Sequence, residues 1–258
     1  MVYLWIILSP YWKGMPILLL LVALMNICFG ECIFVDNMIG YIHVEHQLRF
    51  FNSETIQAKQ NYGKTCFDHV ILVNTYLADN RFFKANNFVQ HIHNNNQCIF
   101  YCGINAHCKN SVAERSICTV SEISHAMMLH LSLFWKNGIG SNLWPMATSY
   151  SNYILNQMLN AEYIAPDYLF NGTKFPCNKL KYIHVWGCTV YVLDPTLQQG
   201  RKLPKCQRGY HCRIFVGSSK NHSSNFPLIL NQATGHISQQ FNVIFDDSFS
   251  TALSFSLE

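Results

Sequence analysis

A mixed α/β domain followed by a β-rich tail is the architecture the sequence predicts, and three features predict it. Short apolar runs of strand length alternate with helix-patterned segments from Cys32 to about residue 160. From about residue 161, strand-like runs follow one another with turn signals between them. Half of the 258 residues are hydrophobic, so a packed core is expected and disorder is not.

The N-terminal segment, 1–31, differs from everything after it. The apolar run Met15 to Met25 follows Lys13 and leads to Cys28-Phe29-Gly30, in the manner of a signal-peptide core with a small residue near a cleavage point. It falls short of the roughly 20 apolar residues that a membrane-spanning helix needs, and Pro10, Lys13 and Pro16 interrupt its extension toward Tyr3. The segment is expected to lie outside the core, as a signal, an anchor or an unrelated start joined to a truncated domain.

From Cys32 the elements follow in order. Cys32-Ile33-Phe34-Val35 and Tyr41-Ile42-His43-Val44 read as strands. Asn52-Ser53-Glu54 offers a helix N-cap, and Glu54 to Tyr62 a helix. Val70 to Val73 reads as a buried strand leading to Asp79, and Lys84 to His93 as a short helix with Phe83, Phe88 and Ile92 near one face. Cys98 to Tyr101 is the next strand, and Gly103 to Ser111 a polar loop. Val112 to Leu133 is the longest helix, with Ile117, Val120, Ile123, Met127 and Leu131 at helical spacing; a second helix spans Leu143 to Leu159. Asn160 to Lys181 is loop-rich. Strands are then expected over Val185 to Leu193, Arg213 to Gly217, Leu228 to Leu230, Gly235 to Ile237 and Phe241 to Phe245.

Composition narrows the function only slightly. Charged residues make up 12%, against about 25% in an average soluble domain. Such a surface is poorly solvated, which favours burial against other chains or a sequence no longer tuned for solubility. The net charge of +4 is a mild basic bias that allows nucleic-acid contact without arguing for it. Eleven cysteines without regular spacing give no closed disulfide framework, and in a reducing compartment they act as small buried hydrophobes.

Asp79 and Glu114 are the residues with the most chemistry to offer. An Asp at a strand end and a Glu opening a helix can converge on one divalent ion, and two-metal phosphoryl transfer needs several such carboxylates. Any α/β domain supplies such a pair, however, and a Glu in a first helical turn is also explained by the helix dipole.

The surrounding residues add context. Leu77-Ala78-Asp79-Asn80, Tyr101-Cys102-Gly103-Ile104-Asn105-Ala106-His107 and Asn110-Ser111-Val112-Ala113-Glu114-Arg115 occur in that order. Leu143-Trp144-Pro145, Leu180 to Tyr191, Ile214-Phe215-Val216-Gly217, Thr234 to Ser238 and Val243 to Asp247 continue the series, and Phe34-Val35-Asp36 precedes it. Together they resemble the copia-type retrotransposon integrase core, over about residues 32 to 250.

The resemblance implies an RNase H-like core over 32–160 and a loop and β-rich extension over 161–258. The ancestral activity it implies is cutting and joining of DNA ends at a three-carboxylate site for Mg²⁺ or Mn²⁺. Asp79 and Glu114 match two of the catalytic, metal-binding carboxylates; the first should lie on a strand upstream of Phe34-Val35-Asp36. Pro16 to Gly30 contains no acidic residue, so the core is expected to lack its first strand and to be catalytically impaired. Arg81 stands where the family has Gly after Asp-Asn, and Ser111 where it has Gly before the helix. A degenerate fragment of a Pol polyprotein is the expectation.

DNA, and not a small-molecule substrate, is the implied partner, with Arg115, Lys109, His107 and Asn105 nearest to it; a homo-oligomer is also possible in this family. Arg201, Lys202, Lys205 and Arg208 are further cations able to reach phosphates. His91, His93, Cys98, Cys102, His107 and Cys108 do not have the spacing of a standard zinc site. A nuclear or cytoplasmic location follows from the resemblance. The alternative is a secreted or membrane-anchored protein using residues 1–31, in which Asn171-Gly172-Thr173 and Asn221-His222-Ser223 would become sequons.

Overall fold

A computed structural model describes residues 2–8, 30–49, 51–78, 83–101, 111–135, 140–161, 163–172, 183–219 and 226–251, with positions 2–8 and 141 described as backbone. The chain divides into two compact units, Met1–Glu122 with Ser151–Asn178, and Ile123–Tyr150 with Lys179–Glu258. This division differs from a single cut at residue 160.

The first unit is built on a five-stranded mixed sheet of order β3-β2-β1-β4-β5. Its strands are β1 (Val2–Leu8), β2 (Gly30–Asp36), β3 (Ile42–Gln47), β4 (Thr75–Ala78) and β5 (Cys98–Tyr101). β1 runs antiparallel to β2, from Val2 opposite Asp36 to Leu8 opposite Gly30. It runs parallel to β4, from Val2 beside Tyr76 to Leu4 beside Ala78.

Residues 2–8 of the N-terminal segment therefore do not stand apart from the core. They supply the central strand, and the expectation of a core without a first strand is corrected. The physical reason is in the residues: Val2-Tyr3-Leu4-Trp5-Ile6-Ile7-Leu8 is rich in β-branched and aromatic side chains. A strand inside a sheet covered on both faces reads as a continuous apolar run, without alternation.

The two faces of the sheet carry separate cores. Cys32, Phe34, Tyr76 and Ala78 pack with Ala58, Tyr62 and Cys66 of α1 (Asn52–Asp68) and with Phe88 and Ile92 of α2 (Asn86–Asn94). The Phe34 and Tyr62 rings stack at 4.5 Å between centroids. On the other face, Ile33, Val35, Ile42 and Val44 pack against Ala113 and Val120 of α3 (Ser111–Phe134), with Leu77, Ile117 and Leu155 beside them. Leu155 belongs to α4 (Trp144–Gln157), which a 3-10 turn at Ser141–Leu143 precedes.

α4 also closes the sheet edge at β3. The buried Asn156 side chain accepts the Ile42 N–H at 2.9 Å and donates to the Ile42 carbonyl at 2.7 Å. An edge strand leaves such backbone groups without ladder partners, and one carboxamide satisfies both.

Several boundaries move for local reasons. α1 runs on to Asp68, and its N-cap is Phe51, without a side-chain cap bond. Glu54 instead reaches back to accept the Arg49 N–H at 2.9 Å. The strand expected at Val70 to Val73 lies instead at Thr75–Ala78. Val70 is in the left-handed region at φ 62° and closes the end of α1, while Ile71 N–H returns to the Cys66 carbonyl. The loop-rich stretch after Asn160 contains α5 (Pro166–Asn171), whose Phe170 ring stacks on Tyr41 at 3.8 Å.

The second unit carries a five-stranded sheet of order β10-β6-β7-β8-β9, in which all neighbours are antiparallel. Its strands are β6 (Thr189–Leu193), β7 (Tyr210–Ser218), β8 (Pro227–Leu230), β9 (Ile237–Gln239) and β10 (Val243–Asp246). The four-residue α6 (Pro195–Gln198) follows β6, and Asp194 caps it by accepting the Thr196 N–H. Gly187 has φ +84°, and a Cβ there would lie 2.6 Å from Leu131 Cδ1. Its carbonyl accepts the Trp135 indole N–H at 2.9 Å, so this approach needs glycine.

Two aspartates tie the end of this sheet. Asp247 accepts the Val185 N–H at 2.7 Å and lies 2.9 Å from His184 Nδ1, whose ring stacks on Phe245. Asp246 accepts from Ser248, Ser250 and Thr251. Burial pushes the Asp246 carboxyl up, but these hydrogen bonds outweigh it and hold the pKa well below the ordinary value of 3.8.

A depressed folded-state pKa contributes stability that is present above the unfolded value and is lost as pH falls. Asp246→Asn is therefore expected to lower the Tm at pH 7, with the deficit closing as pH drops below the ordinary carboxylate range. Thermal melts of both proteins across pH 2 to 7 check this, and a deficit independent of pH would refute it.

Candidate functional site

β1, β4 and β5 run in the same direction, so their carboxyl ends share one edge of the sheet. Ala78 at the end of β4 is registered with Leu4 on one side and Tyr101 on the other. Asp79 is the next residue after Ala78, and Asn105, His107 and Lys109 come between Tyr101 and α3 in the sequence. All four lie outside the described residues.

Glu114 and Arg115 are described. Glu114 is in the first turn of α3, where Ala113 is fully buried against the sheet, and Arg115 follows it. Glu114 is half-buried beside Ala113 and Arg115 is exposed. Leu77, two residues before Asp79, packs on that same face. The acidic Glu114 side chain near a helix N-terminus is electrostatically favourable in its own right.

Pro16 to Phe29, the stretch expected to bear the first carboxylate, lies outside the described residues; the strand described upstream of β2 is β1. Its seven residues include no acid. The two acidic residues on β2 have local partners. Asp36 Oδ1 accepts the N–H groups of Met38 at 2.8 Å and Ile39 at 3.0 Å, closing the turn into β3. Glu31 shares a face of β2 with Ile33 and Val35, is 1% exposed, and lies 3.1 Å from His46 Nδ1.

Mg²⁺ and Mn²⁺ take hard oxygen donors, several of them carboxylates in a two-metal site. Among the described residues no group of three His, Cys, Asp or Glu is placed to hold a metal ion.

The other clusters remain dispersed. His91 and His93 on α2 and Cys98 on β5 do not form a ligand set; Cys102, His107 and Cys108 lie outside the described residues. Arg201, Lys202, Lys205 and Arg208 are all exposed on the loop that leads into β7, with no acidic residue between them.

One cation that the sequence reading passed over is Lys59 on α1, which is 4% exposed. Its signal was available: Thr55, Lys59, Tyr62 and Cys66 fall at helical spacing on the buried stripe of α1. Burial lowers the Lys59 pKa from 10.5 to about 8.

No family model and no curated protein matches this sequence. Among solved structures, the chain is similar to an intasome of simian T-cell lymphotropic virus in complex with the PP2A regulatory subunit B56 gamma. That likeness has 13% identity and a TM-score of 0.43, covering 83% of this chain and 70% of the other. It is also similar to the HTLV-2 integrase catalytic core domain in complex with magnesium, at 15% identity and a TM-score of 0.39. There the coverage is 53% of this chain and 82% of the other. At scores below 0.5 these likenesses carry no argument, and function is read from the chain's own residues.

Proposed function

We propose that the chain is a copia-type, integrase-like domain, RNase H-like in its first unit, that binds nucleic acid without joining DNA ends. The observation that carries this reading is β1. The strand holds the central place in the sheet and is registered with β4, yet its residues Val2–Leu8 include no carboxylate. What remains to such a domain is phosphate contact, which needs only positive charge and reach. Arg115 at the start of α3 is the described cation nearest to Glu114, and the loop from Arg201 to Arg208 is a second basic surface. Lys109, His107 and Asn105 belong to the same proposed contact.

The competing secreted reading requires cleavage near Glu31, which would remove β1 from the sheet. An intact mass that includes residues 2–8 supports the integrase-like reading over the secreted one.

Fluorescence anisotropy with a DNA duplex over a salt series tests the binding directly. Affinity is expected to fall linearly in log–log form with salt, and Arg115→Ala to reduce the slope by about one. Glu114→Ala is expected not to weaken binding. Absence of salt-dependent binding, or a loss confined to Glu114→Ala, would sink the proposal.

A further inference from the structure

A cleft of about 350 Å³ opens in the first unit between α1, the approach to β4 and the end of α2. It lies at the amino ends of the parallel strands, where Asn74 precedes β4 and Gln97 precedes β5. Asp79 follows the opposite, carboxyl end of β4, so the cleft is separate from the proposed nucleic-acid edge.

Its lining is divided by chemistry. Lys59, His91, Asn95 and Gln97 form a polar part, and Phe67, Ile71 and Leu72 an apolar one. The Gln97 side chain is fixed by donating to the Val73 carbonyl at 2.6 Å. Among the described residues no carboxylate lines the cleft, and Lys59 has neither a hydrogen bond nor an ion pair there. Its ammonium lies 5.8 Å from the centre of the Tyr76 ring. A ring face is a weak partner for a charge this deeply buried, because a buried ion needs a counter-charge to offset its lost hydration.

We infer that the cleft binds a small organic oxyanion, its head against the Lys59 ammonium and its apolar body along Phe67, Ile71 and Leu72. The volume is that of a small-ligand site, and the single buried cation supplies orientation while the apolar wall supplies contact area. His91 does not compete as a second cation near neutral pH, because burial and the neighbouring Lys59 both lower its pKa. Tyr76, below the ammonium, is held protonated by its own burial. Lys59 is thus the group whose charge varies near pH 8.

Calorimetric titration of the full chain with benzoate, benzyl alcohol and inorganic phosphate tests this. Benzoate is expected to bind with an affinity that falls as pH rises through about 8, and at least about tenfold more weakly to Lys59→Met. Benzyl alcohol, which lacks the charge, is expected to bind both proteins equally and weakly. Leu72→Glu alters a side chain that is 78% exposed, so it spares the fold while placing negative charge at the cleft mouth; it should weaken benzoate as well. Equal benzoate binding by wild type and both variants overturns the inference, as does no benzoate binding at all. Binding of phosphate alone overturns the organic ligand and leaves an inorganic anion in its place. None of these outcomes depends on whether the chain binds DNA.

Discussion

Purified protein is expected to yield no Mg²⁺-dependent joining of DNA ends, and Asp79→Ala and Glu114→Ala are expected to match it within about twofold. Among the described residues, too few carboxylates are supplied to hold two metal ions. In-line displacement with two metals needs carboxylates that hold both ions against the attacking and leaving oxygens. β1 occupies the central position, but its residues from Val2 to Leu8 are all uncharged. Asp36 is committed to the turn after β2, and Glu31 faces His46. Neither can leave its place without losing those contacts.

The converse experiment is sharper. Trp5 follows Leu4 as Asp79 follows Ala78, and Leu4 and Ala78 are registered. Trp5→Asp is therefore expected to gain Mn²⁺ binding that the wild type lacks, read as loss of the free-ion electron paramagnetic resonance signal. The gain should vanish in the Trp5→Asp, Asp79→Asn double variant. Robust strand transfer by the wild type, abolished by Asp79→Ala, would refute the ligand-supply argument outright.

Asn156→Leu is expected to destabilise the first unit by about 3 kcal/mol, from two buried backbone groups that each cost about 1–3 kcal/mol when left unmade. Leucine has nearly the shape of asparagine, so packing changes little and the hydrogen bonds are what is removed. Ile42 would keep a buried N–H and a buried carbonyl at the sheet edge with nothing to meet them. In a chain of this size the Tm should fall by roughly 6–12 °C. In urea the midpoint should drop without a change in slope. A loss under about 0.5 kcal/mol would place Asn156 among ordinary surface substitutions.

Much of the first unit was legible because its elements obey a single period. Cys32 to Val35 and Ile42 to Val44 are strands where apolar runs of strand length occur, and α3 follows Ile117, Val120 and Leu131 at helical spacing. The misplaced strand at Val70 to Val73 shows where pattern fails. Those residues are apolar and all but Leu72 are β-branched, yet Val70 and Leu72 are exposed and the chain is still turning out of α1. Hydropathy reports what a residue prefers; the turn decides where it goes.

β1 was illegible for a different reason. A doubly covered strand and a targeting segment are both uninterrupted apolar runs. Only pairing with β2 and β4 separates them, and pairing is not a local property. Of the residues that the ordered motifs name for the candidate site, Glu114 and Arg115 lie near the start of α3, while Asp79, Asn105, His107 and Lys109 lie outside the described residues. Lys59 shows the opposite error: an ordinary helix lysine by composition, it becomes notable once α1 turns it inward.

The central place of β1 has a consequence for truncation. β2 and β4 each bond to β1 and not to each other, so the strand joins an antiparallel hairpin, β2–β3, to a parallel pair, β4–β5. A product starting at Glu31 would leave two open edges facing a gap one strand wide. Open edges template pairing with other chains. Such a product is expected to aggregate on concentration, and a synthetic peptide spanning residues 2–8 added in trans should keep it in solution by filling the gap.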